Sequence, residues 1–589
     1  MNAKGQIHGI DGSVIRARGS RGFIMGEMVK VGAEGLIGEV IGVEEGCVTI
    51  QVFENTTGLR PGDAVTGSGK PLCVTLGPGI ISNIFDGIER PLRKIEELTG
   101  KFIARGAKVD SLDMERGWDV TVTAMEGDIV SPGGVIATVP ESASVTHKIM
   151  VPPGVSGEIV SIRPSGPYTL RDPIAVVKTK SGGKRELYLW QEWPIRAPRP
   201  VAAKHPASVP LITGQRIIDT LFPIAKGGTA AVPGGFGTGK TMTQHQIAKW
   251  SDADIIIYIG CGERGNEMTQ VLEEFTELID PRGGRPLMDR TMLIANTSNM
   301  PVAAREASIY TGITIAEYYR DMGCHVAIMA DSTSRWAEAL RELSGRLEEM
   351  PAEEGFPAYL SSRLAAFYER AAYVRNLNGT EGSVSIIGAV SPQGGDFSEP
   401  VTQNTKRFVK SFWTLDRALA YARHFPAINW LTSYSEYTED MENWYDDNVG
   451  KDFSSFRRRI VNILTEESRL MEIVKLIGAD VLPDGQRLTL EIARVVRLGF
   501  IQQNAYHKHD TYVPMAKQRL MMELILYLYD KAKALIDAGV AMSAVRSSGI
   551  FERIIAVKFE VGNDEPEKFT EYKVEIDKFY DEVYASDIG

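Results

Sequence analysis

Residues 234–241 place the tightest constraint on the fold of this chain, because few backbones can follow the loop that they encode. The segment reads Gly-Gly-Phe-Gly-Thr-Gly-Lys-Thr and fits the pattern G-x-x-x-x-G-K-[ST] of phosphate-binding loops. The short apolar stretch before it, Thr229–Val232, is typical of a buried parallel strand. Residues Met242–Trp250 follow without glycine or proline and can form a helix. Strand, glycine loop and helix are the context that this motif requires.

Each residue type in this loop has a chemical reason to be there. Glycines let successive backbone N–H groups turn toward one anion, and the positive end of the helix dipole lies at the same place. The ammonium group of Lys240 can reach the outer phosphates, and the hydroxyl of Thr241 can ligate Mg²⁺. The alternative is an ordinary glycine turn, which the flanking patterns disfavour. The predicted phosphate-binding residues are Gly234, Gly235, Phe236, Gly237, Thr238, Gly239, Lys240 and Thr241.

Length and charge limit the classes of protein to which the chain can belong. With 589 residues it is too long for one hydrophobic core, so roughly three to five domains are expected. The net charge of -11 argues against a general binder of polyanions, although it leaves a local basic groove open. No apolar run approaches the ~20 residues that cross a bilayer, and the N-terminus lacks a signal-peptide pattern. We therefore expect a cytoplasmic protein that meets a membrane only through partners.

Hydrophobic patterning divides the chain and predicts a multidomain α/β protein. The early residues form β-rich segments broken by glycine, which is typical of a small barrel, and a second β-rich block follows. Apolar runs such as Ile255–Ile259 and Val326–Ala330 then alternate with helical stretches, as in a doubly wound parallel sheet. The predicted domains are an N-terminal β-barrel at 1–75, a connecting segment at 76–110, an inserted β-rich domain at 111–195, a nucleotide-binding α/β domain with the phosphate loop at 196–435 and a helical domain at 436–589.

Amphipathic periodicity predicts long helices in the C-terminal domain. Beyond about Ser435 no clear strand pattern is found. Apolar residues recur at helical spacing over Phe453–Ile477, Leu488–Ala505 and Pro514–Ala538. We therefore expect this domain to be entirely helical.

Ligands in doubly wound sheets bind at the carboxyl ends of the strands, so acidic residues there are candidates for catalysis. Asp331 directly follows the apolar run that ends at Ala330, the position of a carboxylate that holds Mg²⁺ beside a phosphate loop. An N-cap for the next helix is the alternative, and the two roles are compatible. Glu263 ends the neighbouring strand pattern and could deprotonate an attacking water, although such a residue alone is more often a surface acid. Arg264 would face the γ-phosphate or, alternatively, pair with Glu267.

Three stretches resemble one known family. Residues Gly260–Glu267, Asp331–Ala339 and Ser391–Asp396 closely resemble motifs of the catalytic A subunit of V-type and archaeal-type rotary ATPases. The resemblance extends over essentially the whole chain, including the early barrel and the inserted β block. It implies a RecA-like nucleotide-binding domain that hydrolyses or synthesises ATP with Mg²⁺. It also implies an alternating A3B3 hexamer with a B subunit, a central shaft, a peripheral stalk and a membrane ion ring, with the chain on the cytoplasmic face of the membrane.

The resemblance also implies roles for individual residues. These are general base for Glu263, charge stabilisation for Lys240 and Arg264, and magnesium binding for Thr241 and Asp331. The positions that wall the adenine pocket in the family match Phe425, Phe500 and Tyr506. From the residues alone, those three would more often be core aromatics.

Two positions depart from the family pattern. Gly235 stands where the family's catalytic chains usually carry alanine or proline, and its extra backbone freedom could alter the resting shape of the loop. Thr238 stands where many eukaryotic relatives have cysteine, so this chain lacks a redox lock at that position.

Three other classes of protein stay open from the residues. An RNA-translocating hexamer of the Rho type would need a basic, aromatic nucleic-acid surface, which the acidic balance does not support. The export ATPase of a protein-secretion system lacks the long β insertion. A non-catalytic nucleotide-binding subunit of the same motor is disfavoured by the presence of both Lys240 and Glu263.

Overall fold

The computed structural model describes residues 3–19, 22–100, 103–281, 283–478 and 481–587. The chain forms two compact units, and each unit collects segments from several parts of the sequence. The first consists of Met1–Pro206, Gly227–Thr229 and Ala253–Val409, and the second consists of Ala207–Lys226, Ala230–Asp252 and Lys410–Gly589.

A closed six-stranded barrel begins the first unit. Its strands are β1 (Lys4–Asp11), β2 (Val14–Arg18), β3 (Glu27–Val31), β4 (Leu36–Glu44), β5 (Cys47–Val52) and β6 (Ala64–Pro71). They pair antiparallel in the order β1-β2-β5-β4-β3-β6, and β6 pairs back to β1. Apolar side chains at alternate positions, such as Val29 and Val31, form its core. The small barrel predicted for the start of the chain is confirmed.

The inserted part of the first unit is also rich in strands. The elements that follow the barrel are β7 (Cys73–Leu76), β8 (Ile84–Phe85), α1 (Leu92–Thr99), β9 (Trp118–Val122), β10 (Ile129–Val130), β11 (Val135–Pro140), β12 (Thr146–Met150), β13 (Gly157–Ile162), β14 (Gly166–Tyr168), β15 (Ala175–Thr179), β16 (Lys184–Leu187), β17 (Gln191–Pro194) and β18 (Ala203–His205). Two four-stranded sheets, in the orders β10-β13-β15-β16 and β12-β11-β9-β14, form the insertion. They bury apolar residues such as Ile136, Val139 and Ile159. The predicted β-rich character of the insertion is confirmed.

An alternation of strands and helices follows. Its elements are β19 (Thr229–Pro233), α2 (Lys240–Trp250), β20 (Ile255–Cys261), α3 (Gly265–Glu277), β21 (Ile279–Asp280), β22 (Arg285–Pro286), β23 (Thr291–Asn296), α4 (Val302–Asp321), β24 (His325–Asp331), α5 (Thr333–Arg346), α6 (Leu360–Tyr368), β25 (Ala372–Arg375), β26 (Glu381–Val390), α7 (Pro400–Phe408), β27 (Ser411–Phe412), α8 (Arg417–Tyr421), β28 (Tyr434–Ser435), α9 (Tyr437–Asp440) and α10 (Glu442–Asn448).

The parallel sheet of the first unit has the strand order β26-β24-β20-β23-β8. Strand β25 pairs antiparallel with β26, and β18 pairs antiparallel with β25. Every residue of β20 is buried, as expected for a strand covered on both faces. Because β20, β23 and β24 run in one direction, their carboxyl ends lie at one edge of the sheet.

The second unit holds the glycine loop and the C-terminal helices. Ala230 and Ala231 of β19 pair in parallel with β27, which pairs antiparallel with β28. The C-terminal helices are α11 (Phe453–Ile477), α12 (Asp484–Val495), α13 (Met515–Asp537), α14 (Met542–Ser547), α15 (Ile550–Glu560) and α16 (Lys568–Asp587). A π-type turn, Val496–Ile501, continues α12, and α13 packs against α11, α12 and α16. Among the residues that the structure describes, no helix combines the length and apolar character that a bilayer span requires.

Candidate functional site

The glycine loop connects β19 to α2 in the second unit. Gly237 and Gly239 have φ angles of +77° and +93°, in the left-handed region that glycine adopts most readily. Helix α2 begins at Lys240, so the positive end of its dipole lies at the end of the loop. The hydroxyl of the buried Thr238 donates to the Gly235 carbonyl at 2.8 Å, which fixes the loop internally. The predicted strand, loop and helix are confirmed.

The Lys240 side chain folds against this loop. Its Nζ donates hydrogen bonds to the carbonyl oxygens of Gly234 at 2.8 Å and Gly235 at 3.0 Å. Thr241 is half-buried in the first turn of α2, and the Phe236 side chain in the loop is exposed. An ammonium group and a helix N-terminus at one loop favour the binding of an anion such as phosphate.

A cavity of about 690 Å³ adjoins the glycine loop within the second unit. Thr238 and Gly239 of the loop and Met242 of α2 contribute to its lining. Two of the predicted adenine-binding residues, Phe425 and Tyr506, also line it and are 44% and 87% exposed. Binding pockets for small ligands usually measure ~300–1,000 Å³, so this cavity has room for a base and a sugar.

The third predicted adenine-binding residue, Phe500, lies elsewhere. It is completely buried and is not part of the lining of this cavity. The Arg216 guanidinium lies 6.0 Å from the centre of its ring and also pairs with the Asp510 carboxylate. Phe500 therefore belongs to the packed interior of the second unit in this structure, and its contact with a base stays a prediction.

The sequence pattern did not point to Gln502, Gln503 and Lys558, which also line the cavity. The Lys558 ammonium group donates to the main-chain carbonyls of Leu498 at 2.6 Å and Gln502 at 3.1 Å. Burial disfavours its charge and lowers the pKa of Lys558 to about 8. The signal that could have found this residue is its spacing, because Lys558 lies four residues after the buried Ile554 on the apolar face of α15.

Two predicted acidic residues lie at the carboxyl ends of neighbouring strands in the first unit. Asp331 is the last residue of β24 and lies in register with Gly260 of β20, shortly before Glu263. Gly262 takes a φ angle of +75°, which turns the chain after β20. Asp331 is 4% exposed and accepts a hydrogen bond of 3.1 Å from the Tyr258 hydroxyl. The structure thus brings Glu263 and Asp331 to one edge of the sheet.

The environment of Glu263 favours its protonated form. Burial contributes most to raising its pKa to about 8, and the negative charge of Asp331 contributes next. A hydrogen bond with Glu267 acts in the same direction, while the positive charge of Arg335 opposes the rise. A carboxyl group with a pKa near the working pH is suited to accepting and returning a proton. Arg264 is exposed directly before α3, next to Glu263 in the chain.

Comparison with known protein families finds matches to four successive parts of the chain. Four family models match: the ATP synthase alpha/beta family beta-barrel domain at 7–69, the ATPsynthase alpha/beta subunit barrel-sandwich domain at 109–196, the ATP synthase alpha/beta family nucleotide-binding domain at 214–435 and the C-terminal domain of V and A type ATP synthase at 442–545.

Full-length relatives decide the family. The V-type ATP synthase alpha chain of Halothermothrix orenii is 58% identical, and the match covers 100% of both chains. The corresponding A subunit of the A-type ATP synthase from Methanopyrus kandleri is 56% identical over 99% of each chain. This chain belongs to the V/A-type ATP synthase A-subunit family.

Membership of the V/A-type ATP synthase A-subunit family confirms the resemblance seen in the three sequence motifs and the predicted order of barrel, insertion, nucleotide-binding domain and helical domain. A solved structure of the assembled ATPase EscN from the type III secretion system of enteropathogenic E. coli is also similar. It matches with a TM-score of 0.64 and 22% identity, covering 89% of this chain and 100% of that one. At this identity, the match shows a shared fold alone.

Proposed function

We propose that this chain is the catalytic A subunit of a rotary, ion-translocating ATPase, which hydrolyses or synthesises MgATP. The observation that carries the proposal is an intact phosphate loop in the same chain as Glu263, a carboxyl group whose pKa burial raises to about 8. The loop can hold a triphosphate, and the carboxylate can accept a proton from water. A protein that only bound nucleotide would need the loop but not the base.

The nucleotide binds with its phosphates at the glycine loop and its base in the adjoining cavity. The loop N–H groups and the dipole of α2 hold the β- and γ-phosphates. Lys240 exchanges its bonds to the loop carbonyls for bonds to phosphate oxygens. Phe425 and Tyr506 expose ring surface in the cavity, where they can stack on adenine. Phe500 completes the proposed adenine-binding set.

Glu263 acts as the general base in hydrolysis. Its carboxylate accepts a proton from the attacking water as the water oxygen bonds to the γ-phosphorus. The bond from the γ-phosphorus to the bridging oxygen of ADP breaks, and its electron pair leaves with ADP. Lys240 and Arg264 stabilise the negative charge on the transferred phosphoryl group. In synthesis the same steps run in reverse, and Glu263 returns the proton.

Mg²⁺ is the cofactor that the residues fit. This ion prefers oxygen ligands and usually binds through one or two protein groups together with phosphate oxygens. Asp331 offers a buried carboxylate that the Tyr258 hydroxyl orients, and Thr241 offers a hydroxyl at the start of α2. When held by these two residues, Mg²⁺ would supply positive charge that offsets the negative charge of the nucleotide phosphates.

The proposal includes the assembly and location of the chain. It pairs with a B subunit in an alternating A3B3 hexamer, joins a central shaft and a peripheral stalk, and meets the membrane ion ring indirectly on the cytoplasmic face. It binds no nucleic acid. The support is that the full-length relatives are components of V-type and A-type ATP synthases. The domain boundaries 1–75, 76–110, 111–195, 196–435 and 436–589 are part of the same proposal.

ATP turnover of the reconstituted hexamer tests the proposal. We expect the purified chain to bind nucleotide but to turn it over slowly, because phosphoryl transfer benefits from an arginine opposite the γ-phosphate. In other nucleotide hydrolases an arginine supplied by a neighbour is worth roughly 10³–10⁵ in rate. Adding the B subunit should therefore raise the rate by orders of magnitude, and replacing its interface arginine with alanine should remove the gain. Stimulation by RNA, or a monomer as fast as the mixed hexamer, would contradict the proposal.

A further inference from the structure

The turn that carries Glu263 is held by the last residue of β23 and by the loop that follows this strand. The Gly262 N–H donates to the Asn296 carbonyl at 2.7 Å. The Ser298 N–H donates to the Glu263 carbonyl at 2.9 Å. These two main-chain bonds fix consecutive residues of the turn, so the position of Glu263 depends on the position of residues 296–298.

Arg305 in turn fixes the loop that contains Ser298. It lies in the first turn of α4, and its Nη2 donates to the Ser298 carbonyl at 2.9 Å. Its stem also packs against the turn itself. A Cβ atom placed on Gly262 would lie 2.8 Å from Arg335 Cβ, 3.0 Å from Arg305 Cδ and 3.2 Å from Arg305 Nε, so both arginine side chains pack against the turn. Arg305 therefore supports the Glu263 turn both directly and through Ser298.

The environment of Arg305 is costly for a residue that serves the fold alone. Arg305 as a residue is only 9% exposed, and the helix dipole opposes a positive charge in the first turn of α4. Within the described part of the chain, its buried Nε has no hydrogen-bond acceptor. The side-chain amide of Asn296, at the end of β23, is completely buried and likewise has no hydrogen-bond partner among those residues. Buried polar groups without partners are few in folded proteins, and a functional role is one reason to retain them.

We propose that Arg305 is a positioning residue that fixes the Glu263 turn for proton transfer. This inference rests on the proposed function, since it takes Glu263 as the general base. The guanidinium holds Ser298, Ser298 holds the Glu263 carbonyl, and the arginine stem fills the space beside Gly262. Misplacing a reacting group by about 1 Å can cost ~10²-fold in rate. Loss of this support should therefore lower the rate of catalysis more than the affinity for nucleotide.

Variants of Arg305 in the assembled enzyme test the inference. We expect Arg305→Met, which keeps an apolar stem but removes the guanidinium, to lower kcat by ~10–100-fold. The Kd for MgADP, measured with a fluorescent analogue, should change by less than about twofold, since only transition-state interactions are lost. Arg305→Lys should recover part of the rate, because its ammonium group can still donate to a loop carbonyl.

The decisive measurement combines Arg305→Met with Glu263→Gln. If Arg305 acts through Glu263, then adding Arg305→Met to the Glu263→Gln variant should lower kcat little further. The base is already gone in that variant, and the effects of residues that act as a unit are not additive. If Arg305 only stabilises the fold, then Arg305→Met should lower kcat by the same factor in the wild-type enzyme and in the Glu263→Gln variant. Equal factors, or a loss of nucleotide binding in proportion to the loss of rate, would overturn the inference.

Ser308→Ala is the matched control. Ser308 is buried on the same helix, and its hydroxyl donates to the main-chain carbonyl of Arg305 at 2.7 Å. We expect this variant to leave kcat unchanged. If Arg305→Met has a normal rate while Glu263→Gln is inactive, then the inference about Arg305 is overturned and the proposed function stands. A normal rate for Glu263→Gln would overturn the proposed function itself.

Discussion

The Nδ1 atom of His147 lies 2.7 Å from Oε2 of Glu141, and both side chains are completely buried. The other ring nitrogen of His147 hydrogen-bonds to the Tyr318 hydroxyl at 2.9 Å, and the Tyr319 hydroxyl donates to Glu141 at 3.0 Å. The histidine and the glutamate belong to the inserted β domain, and the two tyrosines belong to α4. This network therefore ties the insertion to the α/β part of the first unit.

We expect His147→Ala to lower the free energy of unfolding by about 3–5 kcal/mol, because it leaves Glu141 buried without its imidazole partner. Urea denaturation followed by tryptophan fluorescence would measure the loss. The control is Glu115→Ala, which removes an exposed ion pair with Arg171 in the same insertion and should leave stability almost unchanged. Equal losses for the two variants would contradict a structural role for the buried pair.

The same network predicts how stability responds to acid. Burial alone would raise the pKa of Glu141, but the charge and hydrogen bond of His147 lower it below its usual value of 4.5. A lowered pKa gives stability that is present above the unfolded-state pKa and is lost as the pH falls through the folded-state pKa. His147→Ala should therefore weaken the dependence of unfolding free energy on pH below about 4.5. An unchanged acid profile would contradict this.

Glu263→Gln should keep nucleotide binding while removing the general base. Loss of such a base typically costs ~10²–10⁴ in rate. Because burial, with help from Asp331, raises the pKa of Glu263 to about 8, kcat/KM of the wild-type complex should rise with pH and level off above about 8. The residual rate of the variant should lack this rise. Near-normal turnover, or a rise that persists in the variant, would contradict the assignment.

The raised pKa of Glu263 makes stability fall as the pH rises, whereas it makes kcat/KM rise. The folded state keeps a proton that the unfolded state loses above its pKa of 4.5, so stability falls as the pH rises from there to about 8. Glu263→Gln carries no titrating proton at this position. The variant should therefore gain Tm relative to wild type above about pH 8 and match it in acid, as calorimetry can show.

Local signals were sufficient for some elements of the fold and insufficient for others. The periodicity of Phe453–Ile477 predicts a helix with the bounds that α11 has, because one apolar face continues along its whole length. The predicted helix Leu488–Ala505 is wrong at its end, since α12 passes into a π-type turn that stops at Ile501. There the ammonium group of Lys558 donates to main-chain carbonyls that would accept N–H bonds if the helix continued. Periodicity within the segment cannot show this contact with another helix.

The candidate site divides in the same way. The glycine loop could be predicted because its conformation and its chemistry both reside in eight consecutive residues. Glu263 and Asp331 could be predicted as strand-end acids, but the pKa of Glu263 depends on burial and on a neighbour from another strand. Arg305 belongs to no sequence motif. Its hydrogen bond to Ser298 and its packing against Gly262 form only when the chain folds, so the sequence alone could not indicate its role.

Tyr506→Ala tests the cavity as the adenine site. Tyr506 is 87% exposed and lines the cavity, so removal of its ring should take stacking area from the base without disturbing the fold. Stacking of a base on an aromatic ring is worth about 1–3 kcal/mol, so we expect KM for MgATP to rise roughly tenfold with kcat mostly unchanged. Tyr421→Ala is the control, since Tyr421 is similarly exposed in the same unit but outside the lining. A fall in kcat at constant KM would refute the assignment.

The guanidinium of Arg417, the first residue of α8, packs against Gly235 of the phosphate loop. A Cβ atom at this position would lie 2.7 Å from both Nε and Nη2 of Arg417, closer than a side chain can tolerate. Gly235→Ala should therefore push the guanidinium away from the loop and weaken MgADP binding by about two- to fivefold, the scale of one partly screened charge. Arg417→Ala should weaken binding by a similar factor, because it removes the same charge. The double variant should bind like either single variant, since the alanine at 235 then displaces nothing.

Arg458→Ala is the control, because it changes the net charge equally at an exposed position of α11 and should leave the affinity for MgADP unchanged. The affinities are measured by fluorescence titration of the nucleotide. If the double variant lost affinity by the product of the two single factors, then the effect of Gly235→Ala would come from the backbone of the loop and not from Arg417.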